Sequence, residues 1–149
     1  MIKGLLLLPM VFLVLAFTNS VRLFQVDASS MNPRLIHGDI ILCIENRQVR
    51  AGDIVVAAPT KLNFNYIIKR VNRVEERSIQ SSPKDGNRGD NEKSLKTVYA
   101  YFLLGDNLEH SIDSREFGFL DESEIICVAS LLLANSDSKS LSFNRFSTL

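Results

Sequence analysis

Neither sign of charge dominates this sequence. Seventeen Lys and Arg residues are matched by seventeen Asp and Glu, and no long block of one sign occurs. The chain therefore lacks the basic field that nucleic-acid binding draws on, and nucleic acid is not an expected partner. Cysteine is scarce as well. Cys43 and Cys127, the two present, are far apart, each inside an apolar run (Ile40-Ile41-Leu42-Cys43-Ile44 and Ile125-Ile126-Cys127-Val128). With no CxxC and no Cys/His cluster, no metal or other cofactor is expected, and the two are read as buried free thiols ahead of a disulfide or a ligand pair. Histidine is equally sparse. His37 and His110 sit in polar loop sequence with no local Ser or Asp arrangement that marks a triad, and both are read as solvated. Helical periodicity is missing too: past Val26 no run of ten or more residues shows it, so few helices are expected.

The sequence does contain enough apolar material for one compact domain, at 46% hydrophobic residues in a chain of 149. Its N-terminus carries Lys3 and then an uncharged stretch from Gly4 to Phe17, 14 residues long, where a full membrane span usually wants about 20. A cleavable secretory signal also fits such a pattern. Thr18-Asn19-Ser20-Val21 is only mildly polar, however, and a tilted helix continuing to Val21 or Phe24, with Arg22 reaching back to the interface, would make a retained anchor over residues 1–24. The anchor is the preferred reading. Lys3 then keeps the N-terminus in the cytoplasm and places the remainder on the exported side, against membrane lipid.

From Val26 the pattern changes to short apolar runs entered through Gly-Asp turns, the mark of a mainly β domain over residues 25–134. Asp39–Ile44, Asp53–Ala58, Tyr66–Val71, Tyr99–Leu104 and Ile125 to about Leu133 read as strands. Glu75 to Lys96 is polar and rich in turn formers, and is read as an exposed excursion between two strands. Residues 135–149 read as a polar tail.

A hydroxyl nucleophile needs a neighbouring base. Asp39, Asp53 and Asp106 each follow glycine and are most simply turn residues. Lys69 interrupts the apolar run Tyr66-Ile67-Ile68 before Arg70-Val71, and strand alternation forces Lys69 and Arg70 onto opposite faces. A lysine on the more buried face would have its charged form disfavoured, which suits a general base. The competing reading is an edge strand with both cations in water.

Four segments, in order, resemble the boxes of the type I signal peptidases: Ser30-Met31-Asn32-Pro33 with Leu35 and Gly38-Asp39; Gly52-Asp53-Ile54-Val55-Val56; Tyr66-Ile67-Ile68-Lys69-Arg70-Val71; and Gly105-Asp106-Asn107 through Ser111-Ile112-Asp113-Ser114-Arg115 to Gly118. The likeness runs from about Val26 to Ile126. It implies a compact signal-peptidase-type β domain behind one N-terminal transmembrane helix, and a membrane-bound serine endopeptidase that removes signal or leader peptides by a Ser/Lys dyad. Ser30 would be the nucleophile and Lys69 the base. Ser111 would orient the lysine, Asp113 and Arg115 would form a supporting ion pair, and Asp106 and Asn107 would shape the same wall. Met31 and Pro33 would fix the turn, with the Ser30 N–H as oxyanion donor. The implied partners are exported precursors bound as an added β-strand, with small side chains at the first and third positions before the cut.

Three departures accompany the likeness. Ala28 stands where some bacterial members have a serine completing the oxyanion hole, so the hole would use backbone alone or Ser29. Leu108 stands where many members carry arginine, and Asn72-Arg73-Val74-Glu75-Glu76 replaces a glycine-rich continuation. A dedicated maturation protease, of the type that trims the N-terminus of nickel superoxide dismutase, and a non-catalytic peptide-binding β module both fit as alternatives. A self-cleaving repressor-type protease would need a DNA-binding segment that these residues do not supply.

Overall fold

The computed structural model describes residues 21–81 and 94–134. The strands are β1 (Val21–Gln25), β2 (Ile40–Ile44), β3 (Ile54–Ala57), β4 (Ile67–Ser81), β5 (Ser94–Leu104), β6 (Leu120–Asp121) and β7 (Ile125–Ala134). They form one sheet in the order β1-β2-β7-β3-β4-β5-β6, with every pairing antiparallel. Among the described residues the only helices are α1 (Ser114–Phe117) and two 3₁₀ turns, Leu108–His110 and Glu122–Glu124. The mainly β reading with few helices holds.

The two Gly-Asp pairs act as turn closers. Gly38 and Gly52 both have φ of 92°, a left-handed conformation open to glycine at no steric cost. Beside them, the carboxylates of Asp39 and Asp53 accept from the Ile36 and Arg50 N–H groups, each at 2.9 Å. The first turn delivers the chain into β2, which buries Ile41 and Cys43 on one face; the second delivers it into β3, whose residues alternate between two apolar clusters. Ile54 and Val56 pack with Met31, Leu35, Ile41 and Ile68, whereas Val55 and Ala57 pack with Ile67, Val71, Leu103 and Leu120. β3 is thus buried on both faces, which is why it reads as an unbroken apolar run rather than as an alternating one. Each such fully buried side chain contributes roughly 1.5–3 kcal/mol.

Three expectations change here. The cysteines are not free thiols: Cys43 and Cys127 form a disulfide across 84 residues of sequence, with Cα atoms 5.6 Å apart. Both lie in the first apolar cluster, and the pairing of β2 with β7 brings them within bridging distance, an adjacency invisible in two isolated apolar runs. Val21–Gln25 is not the end of a helix but strand β1, whose Val21 and Phe24 lie opposite Ile44 and Ile41. The apolar segment at 4–17 lies outside the described residues, among which no helix is long and apolar enough to cross a membrane. Residues 75–81 and 94–96 are not loop: β4 and β5 pair continuously from Arg73/Phe102 out to Ser81/Ser94. An exposed two-stranded ribbon has little face to bury, so its residues are mostly polar, and Ile79 and Leu95 within it stay exposed. Its base is held by Arg73 and Arg77, whose guanidinium groups lie 5.1 and 4.9 Å from the Phe119 ring centroid. Residues 82–93 and the tail at 135–149 lie outside the described residues.

Candidate active site

Lys69 and Arg70 leave β4 on opposite faces, as alternation requires. Lys69 is opposite Val55 in the register and shares the face of Ile67 and Val71, two residues of the second apolar cluster. Only 4% of Lys69 is exposed, and 9% of Ser30. Lys69 Nζ lies 2.6 Å from Ser30 Oγ, within the range that proton transfer between the two requires. Burial lowers the Lys69 pKa from its ordinary 10.5, with the nearby negative charge of Asp113 opposing that shift. The neutral amine is consequently more accessible than in a solvated lysine. A hydroxyl next to such an amine can act as a nucleophile.

The serine is held by its turn. Met31 is 1% exposed and packs in the first apolar cluster, while the Asn32 and Leu35 N–H groups donate to the carbonyls of Ser29 and Met31 at 3.0 and 2.9 Å. Pro33 is exposed, so the anchoring of this turn falls to Met31.

Behind Lys69 stands a wall made by the segment from Gly105 to Arg115. Asp113, fully buried, accepts from the Gly105 N–H at 3.0 Å and from Arg115 Nε and Nη2 at 2.8 and 2.9 Å. It also caps α1 by accepting from the Arg115 N–H. Arg115 reaches on to the Leu108 and Ser111 carbonyls, so one guanidinium ties the whole loop together. Ser111 Oγ is buried and has no hydrogen-bond partner of full geometry, though it lies close enough to Asp113 to favour the ionised carboxylate. Gly105 sits between this wall and the serine. A Cβ there would overlap Ser111 Oγ and stand 2.6 Å from the Ser30 carbonyl oxygen, so glycine is what lets the two approach. Motif reading marks Gly105 only as the start of a box; its role shows when residues distant in sequence are seen to converge on it.

Burial alone would raise the Asp113 pKa, but the Arg115 guanidinium and the Gly105 N–H more than offset it and hold the group at about 2, against an ordinary 3.8. The folded state thus gains stability from the ionised form. That gain is complete above the unfolded value and is lost as pH falls through about 2; it amounts to about 2 kcal/mol. Urea unfolding of wild type and Asp113→Asn should show a stability gap that narrows as pH drops from about 4 to 2. A gap that stays constant over this range would contradict the assignment.

Asp106 and Arg70 form a bidentate pair, with Nε–Oδ1 and Nη2–Oδ2 both at 2.7 Å, while Arg70 Nη1 donates to the Gly52 carbonyl at 2.8 Å. This pair lies on the face of β4 opposite Lys69 and braces the loop from outside. Asn107 instead touches the serine turn itself: its N–H donates to the Ser30 carbonyl at 2.9 Å and its Nδ2 to the Ser29 carbonyl at 3.2 Å. Ser29 is exposed, and its recorded contacts here are through the carbonyl.

A groove of about 470 Å³ opens beside Ser30 and Lys69, lined by Val26, Asp27, Ala28 and Met31 on one side, by Phe64 to Ile68 on the other, and by His110 and Ile112. His37 and His110 are both exposed; His37 faces Asp27 at 3.4 Å. Leu108 is 54% exposed. Among the described residues no group of three or more His, Cys, Asp or Glu side chains is arranged to hold a metal ion.

Comparison with known proteins agrees with this geometry. Residues 8–91 match the Peptidase S24-like family, and residues 76–134 match the family described as signal peptidase, peptidase S26. The chain is 28% identical over 116 residues to mitochondrial inner membrane protease subunit 1 of Schizosaccharomyces pombe, an alignment covering 70% of this chain and 71% of the relative.

Proposed function

Because this chain belongs to the signal peptidase family, we propose that it is a serine endopeptidase that removes N-terminal leader segments from exported precursor proteins. Ser30 is its nucleophile and Lys69 its general base. The observation that carries this reading is the 2.6 Å contact between Lys69 Nζ and Ser30 Oγ, made where both residues are buried. With the amine neutral, the Ser30 hydroxyl donates to Nζ. As Oγ bonds to the scissile carbonyl carbon, its proton passes to Nζ and the carbonyl electron pair moves onto oxygen, to which the Ser30 N–H can donate a hydrogen bond. The ammonium, stabilised by the charge of Asp113, then protonates the departing amine. Water then adds to the acyl carbon as it loses a proton to Lys69. The resulting ammonium returns a proton to Ser30 Oγ as the acyl C–Oγ bond breaks, which releases the new carboxyl terminus and restores the serine.

The sheet supports a place for the substrate. Ile67, Ile68 and Lys69 pair with β3 on one side, but β5 joins β4 only from Arg70 onward. Among the described residues no strand pairs with the other edge of these three, which line the groove with Val26, Asp27 and Ala28. An extended precursor can add there as a strand. Its first and third residues before the cut would then point the same way, which agrees with a requirement for small side chains in a narrow groove.

A membrane location is supported by the relative's name and by the apolar segment after Lys3. The Cys43–Cys127 disulfide fits the oxidising side of that membrane. Incubation with a peptide carrying an Ala-x-Ala site is expected to yield product cut after the second alanine. Saturable binding without product would instead identify a non-catalytic peptide-binding module.

A further inference from the structure

Both peptide groups that flank the Ser30 Cα are held by one residue. The Asn107 N–H donates to the Ser30 carbonyl at 2.9 Å, and the Asn107 side-chain Nδ2 donates to the Ser29 carbonyl at 3.2 Å. The other end of that carboxamide, Oδ1, faces His110 Nδ1 at 3.4 Å, which leaves Nδ2 directed at Ser29. Among the described residues the only cis peptide is Asn32-Pro33, so the Ser29–Ser30 peptide is trans and planar. Its C=O and its N–H, the Ser30 N–H, must point in opposite directions. Drawing the Ser29 carbonyl toward Asn107 turns the Ser30 N–H away from Asn107. Ser30 lines the groove and Asn107 does not, which leaves the groove open to an N–H turned away from Asn107. Among the described residues the Ser30 N–H has no backbone acceptor and is free to donate to a ligand.

We propose that Asn107 is a positioning residue for the oxyanion hole: its side-chain amide anchors the Ser29 carbonyl and thereby aims the Ser30 N–H at the oxygen that becomes negative. A donor on the carbonyl of a peptide also polarises that peptide and makes its N–H a stronger donor. With Ala28 offering no hydroxyl at the groove wall, the direction of this one N–H carries more of the stabilisation. The proposal rests on the reading of Ser30 as nucleophile.

The test compares wild type with Asn107→Ala and Asn107→Asp, both of which keep the backbone N–H that holds the Ser30 carbonyl. The readouts are kcat and KM for a cleavable peptide, and affinity for two probes. One is a peptide aldehyde, to which Ser30 Oγ adds to give a hemiacetal whose oxygen occupies the hole; the other is the product peptide, which forms no such adduct. Asn107→Ala should lower kcat by about 10- to 100-fold with KM within about twofold. Aldehyde affinity should fall in step, product affinity should hold, and the pH at which activity rises should not move. Asn107→Asp, with a carboxylate facing the Ser29 carbonyl, should lose more. Equal losses for aldehyde and product, or kcat within twofold of wild type, would overturn the proposal while leaving the protease reading standing. Wild type that neither cleaves peptide nor binds aldehyde would overturn both.

Discussion

Lys69→Met is expected to lower kcat/KM for a cleavable peptide by about 10³-fold or more, with a fold at least as stable as wild type. Two effects run in opposite directions at this position. Among the described residues the amine 2.6 Å from Ser30 Oγ is the one base hydrogen-bonded to the hydroxyl, and its removal takes that proton acceptor away. The same amine sits in a site only 4% exposed, and burying its charge opposes folding. Since the folded-state pKa lies below the ordinary value, the unfolded chain binds more protons between those two values. Stability therefore rises with pH across that window, and Lys69→Met should abolish this slope. Methionine fills a similar volume without a charge, and Asp113 keeps Arg115 and the Gly105 N–H as partners. Activity measured alongside thermal unfolding checks both halves. Near-normal turnover in this variant would rule out the dyad.

Gly105→Ala should be strongly damaging as well, through sterics. Its Cβ would meet Ser111 Oγ and Cβ on one side and the Ser30 carbonyl on the other, and neither can yield alone. Ser111 belongs to the loop tied down by Arg115, and the Ser30 carbonyl is held by the Asn107 N–H. Overpacking of this kind costs about 1–3 kcal/mol. A displacement of Ser30 by even a fraction of an ångström should cost about 10²-fold in kcat. Gly118→Ala supplies the matched control. Gly118 has φ of +81° with nothing within 4 Å of a Cβ, so alanine is strained there by about 1–3 kcal/mol through its backbone alone, away from the serine. Denaturation and kinetics on the pair should show similar destabilisation and very different activity. Equal activity in the two would mean that Gly105 does not set the position of Ser30.

The features that could be read from the sequence are those fixed by local rules. Alternation alone put Lys69 and Arg70 on opposite faces, and the outcome is one buried amine and one outward guanidinium paired with Asp106. The Gly-Asp turns and the apolar runs of β2, β3 and β7 were legible for the same reason. What stayed hidden depends on adjacency between distant segments. Cys43 meets Cys127 only because β2 pairs with β7. Gly105 matters only because Ser111 and Ser30 converge on it. β1 was hidden differently: Val21-Arg22-Leu23-Phe24-Gln25 follows an apolar segment and continues its character, whereas its backbone pairs with β2. The outer halves of β4 and β5 carry no apolar period because a ribbon standing away from the core does not need one. At the site itself, the type of each residue was legible, but the direction of each peptide group was not. The role of the Ser29 carbonyl, as opposed to its hydroxyl, came from that second kind of information.

The central claim is that a neutral Lys69 amine takes the Ser30 proton, and the pH dependence of kcat/KM tests it most directly. Activity should rise with pH through a single ionisation that lies below the ordinary lysine value of 10.5, and His110→Ala should leave that rise in place. A rise that disappears in His110→Ala, the histidine at the groove, would contradict the account.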